Sequence, residues 1–153
     1  LGPARRDGPE PDDGDALRLA VKLHIGVRTH GPDHWLHKNV AVALWDACEQ
    51  SGRNRVPPVA SIVDLPQYLA GAGAHNDMRL ICLPTEGGRL RELPATADAI
   101  SLLVGPEGGF EEAEIKAALA AGFRPLRLGP RVLRTETAGP AALAAIMGLW
   151  GDW

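Results

Sequence analysis

The sequence has little of what marks a secreted or a membrane protein. Among 153 residues only Cys48 and Cys82 are cysteines, too few for a scaffold of disulfides. No apolar run of about 18 residues occurs, so no membrane span is predicted. No apolar stretch follows a basic start, so no signal peptide is predicted. Together these absences predict a protein of the reducing cytoplasm.

Lysine is scarce too. Lys22, Lys38 and Lys116 are the only lysines, whereas lysine and arginine together number 16, so arginine predominates. Arginine binds phosphate and planar groups bidentately, which favours an anionic partner. The net charge of −3 lies entirely in residues 1–15, because the remaining 138 residues carry 14 basic and 14 acidic groups. Residues 1–15 also include six glycines or prolines, so we expect a disordered tail before a single folded domain at 16–153.

Short apolar runs alternate with amphipathic segments along the rest of the chain. This order predicts an α/β domain with a mostly parallel sheet flanked by helices. Asp33 is a plausible N-cap of the first helix and Gly52 a plausible stop. The last helix places Leu143, Ile146, Met147 and Trp150 on one side. Strands are predicted at 17–27, 59–63, 78–83, 100–104 and 125–128, and helices at 33–52, 111–121 and 137–150.

The first segment that suggests chemistry is the sequence LLVGPEGGF at 102–110. A strand runs into three glycines, which let a backbone approach a ligand closely, at the edge of the sheet where α/β proteins bind ligands. The loop is neither a dinucleotide fingerprint nor a phosphate-binding P-loop, because the required Gly and Lys spacings are absent. A tight strand–helix turn is the alternative interpretation.

The second segment is LGPRVLRTETA at 128–138. Two arginines, two threonines and one carboxylate fall within seven residues before an apolar helix. N-capping by Thr135 or Thr137, with Arg134 and Glu136 paired at the surface, would explain part of this string. Capping and ion pairing do not explain the whole segment.

With CEQSGRNRVP at 48–57, these two segments resemble the ribosomal small subunit methyltransferase E family of the SPOUT class. The resemblance covers about residues 40–153 and implies an α/β fold whose C-terminal chain threads a deep trefoil knot. It implies methylation of N3 of a uridine in 16S rRNA of the small ribosomal subunit, with S-adenosylmethionine as cofactor. A SPOUT methyltransferase acting on tRNA, and a catalytically silent knotted dimer that only binds cofactor or RNA, are the alternatives.

The resemblance also implies where the cofactor is held. Three loops, at 83–88, 105–109 and 128–133, would surround it at the knot. Their backbone groups would bind the adenine and the methionine part, between apolar walls. The residues assigned to this site are Leu83, Pro84, Gly105, Pro106, Glu107, Gly108, Gly109, Leu128, Gly129, Leu133, Thr137 and Ala138.

Catalysis at N3 of uracil requires loss of a proton and stabilisation of negative charge on the neighbouring carbonyl oxygens. Arg131 and Arg134 are the candidates for that stabilisation, or for gripping an adjacent phosphate. Glu136 would orient an arginine or accept the proton. Arg53, Asn54 and Arg55 are predicted to contact RNA, a solvated turn being the alternative.

Members of this class are homodimers with the last helix at the interface. Leu143, Ile146, Met147 and Trp150 would supply that contact, or would face the core of their own chain. The family also carries an N-terminal RNA-binding barrel, and about 39 residues before the resemblance are too few to hold one. His30, His34 and His37 lack the Cys, Asp or Glu partners of a known metal site, so no metal is predicted.

Overall fold

The computed structural model describes residues 20–25, 33–52, 56–71, 77–94 and 99–151. The predicted tail at 1–15 and the side chains of His30, His34 and His37 lie outside this description. The strands are β1 (Ala20–Ile25), β2 (Met78–Cys82), β3 (Ala99–Val104) and β4 (Arg124–Leu126). The helices are α1 (Asp33–Gln50), α2 (Leu65–Gly71), α3 (Glu112–Ala120) and α4 (Thr135–Trp150), with a 3-10 turn at Leu90–Glu92.

The four strands form one parallel sheet in the order β1-β3-β2-β4. Leu102 of β3 lies between Leu23 of β1 and Leu80 of β2, and Cys82 of β2 pairs with Leu126 of β4. β3 is therefore a central strand, and its near-continuous apolar sequence is typical of a strand covered on both faces. The predicted α/β class with a parallel sheet is confirmed.

Side chains of β3 alternate between two cores, one on each face of the sheet. Ile100, Leu102 and Val104 pack with Ala142 and Ile146 of α4. Leu103 packs on the opposite face, in a cluster that contains Ala118 of α3 and Phe123 and that Tyr68 and Leu69 of α2 cover. The period of two in a strand thus places α4 on one face and α2 with α3 on the other.

Helices α1 and α3 end just before the glycines that the sequence predicts. Gly52 and Gly122 follow α1 and α3 with φ of +67° and +86°, in the left-handed region where glycine meets no penalty. The predicted start of α4 at residue 137 is two residues late, since the helix begins at Thr135.

Two strand predictions need correction. Residues 59–63 form no strand, and no partner strand lies beside them among the described residues. The segment is largely exposed, so its β-branched side chains have no buried sheet face to pack against. The strand predicted at 125–128 ends at Leu126, because the chain then turns towards Gly129, whose φ is +135°.

The loop at 83–88 encloses the end of β4. The Leu83 N–H donates to the Leu126 carbonyl over 3.0 Å, and the Arg127 N–H donates to the Gly88 carbonyl over 3.1 Å. The Leu126 carbonyl and the Arg127 N–H belong to one trans peptide unit, so these two groups point in opposite directions. The two ends of the loop therefore lie on opposite sides of the chain that leaves β4.

Gly87 is required where this loop closes. Its φ is +114°, and a Cβ there would lie 2.5 Å from the Pro125 carbonyl oxygen. Gly129 also has a positive φ, of +135°, but a Cβ there would meet no atom within 4 Å. A comparison of substitutions at these two positions therefore separates the cost of a positive φ from the cost of a clash with β4.

We expect Gly87→Ala to lower the free energy of unfolding by roughly 3 kcal/mol or more, since strain and clash combine. Gly129→Ala carries the strain alone and should cost about 1–2 kcal/mol. Urea unfolding followed by circular dichroism measures both. Equal losses in the two variants would show that the close approach to β4 has no energetic weight.

Candidate functional site

The carboxyl ends of the parallel strands β2, β3 and β4 meet at one edge of the sheet, where α/β proteins bind ligands. The segments that follow these strands form the walls of a cleft of about 780 Å³. This volume is within the range of small-molecule sites, roughly 300–1,000 Å³. The cleft is lined by residues 82–86, 104–110, 115, 128, 131–136 and 138.

Most of the residues predicted for the cofactor site line this cleft: Leu83, Pro84, Gly105, Pro106, Glu107, Gly108, Gly109, Leu128, Leu133 and Ala138. The predicted catalytic residues Arg131, Arg134 and Glu136 line it as well. Gly129 and Thr137 do not line it, although each is adjacent in sequence to a lining residue. The predicted RNA contacts Arg53, Asn54 and Arg55 lie outside the described residues.

The cleft also contains residues that the sequence analysis left unassigned: Thr85, Glu86, Phe110, Val132 and Thr135. Glu86 and the pair Gly87-Gly88 belong to the segment at 83–88, which the pattern alone allows as a turn and the resemblance names as a cofactor loop. Gly87 permits a close approach to β4, and Glu86 beside it lines the cleft. No local pattern reveals this, because the neighbouring strand is 38 residues away.

The glycine-rich loop after β3 is a tight turn with open space over its tip. The Gly109 N–H donates to the Pro106 carbonyl over 2.8 Å, and Gly109 has a φ of +72°. A Cβ on Gly105 would lie 3.0 Å from the Phe110 ring, whereas Cβ atoms on Gly108 and Gly109 would meet nothing within 4 Å. The backbone at 108–109 is therefore accessible to a ligand as well as being a turn.

Thr135 joins two walls of the cleft. Its Oγ1 donates to the Gly105 carbonyl oxygen over 2.8 Å, across 30 residues of sequence. Thr135 is the first residue of α4 and Arg134 occupies the N-cap position without a side-chain cap, so capping by Thr135 is wrong. The threonine instead ties the loop after β4 to the loop after β3.

The charged groups of the cleft are weakly paired. Arg134 Nη1 and Glu136 Oε1 are 3.9 Å apart, with side chains 85% and 64% exposed. Such a pair contributes little to stability and leaves the guanidinium free to bind an anion. Arg131 is exposed as well. Glu86 and Glu107 present carboxylates from the other two loops.

The thiol of Cys82 lies at the base of the cleft. Burial raises its pKa to about 12. The thiol is therefore neutral at physiological pH, and it serves as an apolar wall rather than as a nucleophile. Cys48, on α1, is buried among the core residues.

Leu143, Ile146, Met147 and Trp150 of α4 were left with two interpretations, a partner's surface or their own core. Ile146 is fully buried against β3, and Trp150 packs partly buried on the same cluster. For these two side chains the core interpretation is correct. Leu149, which the pattern did not single out, is the exposed apolar residue of this helix end.

We expect Thr135→Val to lower the free energy of unfolding by about 1–2 kcal/mol, because it leaves the part-buried Gly105 carbonyl without its donor. Thr135→Ser keeps the hydroxyl and should remain close to the parent protein. Amide hydrogen exchange in residues 105–110 should accelerate in the valine variant alone. If valine and serine variants behave alike, the hydroxyl does not hold the two loops together.

Residues 33–147 of the sequence match the RNA methyltransferase domain family. The chain is 35% identical over 122 residues to ribosomal RNA small subunit methyltransferase E of Buchnera aphidicola subsp. Schizaphis graminum, covering 78% of this chain and 46% of that protein. The corresponding Synechocystis protein is 40% identical over 111 residues, covering 68% of this chain and 36% of the relative. The chain thus spans about half the length, or less, of these curated relatives.

The fold is shared with a crystal structure of ribosomal RNA small subunit methyltransferase E from Neisseria gonorrhoeae bound to S-adenosyl methionine. The TM-score is 0.80 and the identity 31%, over 88% of this chain and 68% of the other. Sequence and fold agree with the resemblance found in the motifs. The chain belongs to the RNA methyltransferase domain family, and within it to the ribosomal RNA small subunit methyltransferase E family.

Proposed function

We propose that this chain transfers a methyl group from S-adenosylmethionine to N3 of a uridine in 16S rRNA of the small ribosomal subunit. One observation carries the proposal: the three loops named by the resemblance, after β2, β3 and β4, line a single cleft. A relative with the same fold is crystallised with S-adenosyl methionine. The proposal includes the cytoplasm as the compartment, because ribosomal subunits would be the substrate.

The chemistry of the cleft fits this cofactor. Leu83, Leu128 and Leu133 offer apolar surface for the adenine, and the open backbone at 105–109 offers amide and carbonyl groups. Carboxylates at Glu86 and Glu107 suit the positive charges of an ammonium and a sulfonium. When bound, S-adenosylmethionine supplies an electrophilic methyl group on its sulfonium. Pro84 and Ala138 would complete the wall, and Gly129 and Thr137 would position the lining residues next to them in sequence.

Uracil N3 is a poor nucleophile while it holds its proton. Arg131 and Arg134, both exposed at the cleft, would stabilise the negative charge that spreads onto O2 and O4 as the proton leaves. Donors fixed at a developing oxyanion contribute on the order of 3 kcal/mol. Glu136, 3.9 Å from Arg134 Nη1, would orient that guanidinium or accept the proton. Holding N3 in line with the methyl group adds a positioning effect of several kcal/mol.

The RNA would extend beyond the cleft, and the proposal includes contacts from Arg53, Asn54 and Arg55 to it. It also includes a homodimer and a C-terminal chain threaded as a trefoil knot. The enclosure of β4 by the loop at 83–88 supports the threading, because one peptide unit of the exit chain is bonded on both sides by that loop. The exposed Leu149 on α4 supports a contact with a second copy.

The decisive test is methyl transfer from labelled S-adenosylmethionine to small ribosomal subunits that lack the modification. We expect 3-methyluridine when the nucleosides are identified by mass spectrometry. Product in tRNA instead would favour another substrate class. Cofactor binding without any methylated nucleoside would favour a silent binding protein and contradict the proposal.

We expect Arg134→Ala to lower kcat about 100-fold or more, because the developing charge loses a donor. The affinity for S-adenosylmethionine, measured by calorimetry, should stay within about twofold, since the exposed guanidinium is assigned to the RNA side. Arg124→Ala is the matched control, because it removes an exposed arginine that does not line the cleft. Unchanged turnover in Arg134→Ala would remove this residue from the catalytic machinery.

A further inference from the structure

We propose that Val132 is a substrate-positioning contact for the RNA: its side chain packs against the face of a nucleobase at the mouth of the cleft. The proposal rests on the proposed function, for which it names one point of substrate contact. Nothing in the motifs distinguishes this valine, because it lies between residues with more evident chemistry.

Val132 is exposed at an unusual place. Its side chain is 75% exposed, the largest value among the exposed large apolar residues of the described ranges. A single exposed valine is normal on a protein surface. This one, however, lines the cleft itself, between the arginines at 131 and 134.

The neighbours of Val132 hold it in this position. Leu133 packs against the core cluster beneath α4, so the side chain before it in sequence is directed away from that core. Two residues later, Thr135 is bonded to the Gly105 carbonyl. Burial of the valine would require release of one of these contacts. The exposed apolar surface is therefore pre-organised, and a ligand that covers it binds with little entropic cost for ordering the loop.

The charges around Val132 favour a nucleic acid as the occupant. Arg131 and Arg134 are exposed on the same loop, while Glu86 and Glu107 lie on the other two loops. The loop after β4 thus presents apolar surface flanked by two cations, of which Arg134 has the exposed Glu136 carboxylate 3.9 Å away. A nucleotide has the complementary arrangement, with an apolar base face next to a phosphate. Unstacked bases in single-stranded RNA expose that face.

A base contact and a phosphate contact can be distinguished by measuring affinity. Phosphate contacts bind all nucleotides alike, whereas a contact to a base face vanishes when the base is absent. The affinity for a short oligouridylate, compared with an abasic oligomer of the same length, therefore isolates the contribution of the base. Fluorescence anisotropy at one fixed salt concentration gives both affinities, since salt alters the phosphate contribution.

We expect Val132→Ala and Val132→Thr to weaken oligouridylate binding about three- to fivefold and to leave binding of the abasic oligomer unchanged. Val132→Thr keeps the shape and exchanges a methyl for a hydroxyl, so the loop fold is preserved. Val42→Thr is the matched control: it changes a valine 53% exposed on α1, outside the cleft, and should alter neither affinity.

Four results would overturn the inference. Equal affinity of the parent and Val132 variants for oligouridylate, or no preference of the parent for it over the abasic oligomer, excludes a base contact. Weaker S-adenosylmethionine binding in the Val132 variants makes this residue a cofactor wall. Dissociation of a dimer in sedimentation velocity, seen only in those variants, assigns the valine to an interface between copies. If the protein transfers no methyl group but still binds oligouridylate more tightly than the abasic oligomer, the proposed function is contradicted and the base contact is not.

Discussion

Strand β3 carries hydrogen bonds on both edges and apolar side chains on both faces, and β1, β2 and α4 are positioned directly against it. Its even-numbered residues hold α4, and Leu103 faces the α2 and α3 side. Because β2 and β4 run parallel to it, the three strands deliver their carboxyl ends to one edge. The cleft is a consequence of this direction: an antiparallel β2 would send its loop to the opposite edge of the sheet.

Loops that only lie near one another would move independently, so a cleft of fixed shape also needs bonds between its three loops. The Thr135–Gly105 bond joins the loops after β4 and β3. The bonds of Leu83 and Gly88 to the peptide unit after Leu126 join the loops after β2 and β4. Each loop is thus linked to at least one other by a hydrogen bond that is remote in sequence. A ligand meets walls that are already arranged, which lowers the entropic cost of binding.

The parts of this structure that follow from local chemistry were predictable from the sequence. The apolar run at 100–104, the stops at Gly52 and Gly122 and the glycine turn after β3 each have a cause within a few residues. The prediction at 59–63 was wrong because β-branched residues suggest a strand, whereas a strand also needs a sheet to pack in, and this segment is largely exposed. The roles of Thr135, Glu86 and Ile146 depend on partners 30 or more residues away, which periodicity does not record. The assignment of catalytic and cofactor residues came from the motif resemblance, and only their gathering into one cleft is a property of the fold.

The contact between the loop at 83–88 and β4 sets a condition on how fast this protein folds. Pro125 lies so close to Gly87 that no Cβ fits between them. Contacts of this kind join residues about 40 positions apart, and they form only after the entropic cost of bringing those positions together has been met. Assembly is therefore expected to be slow.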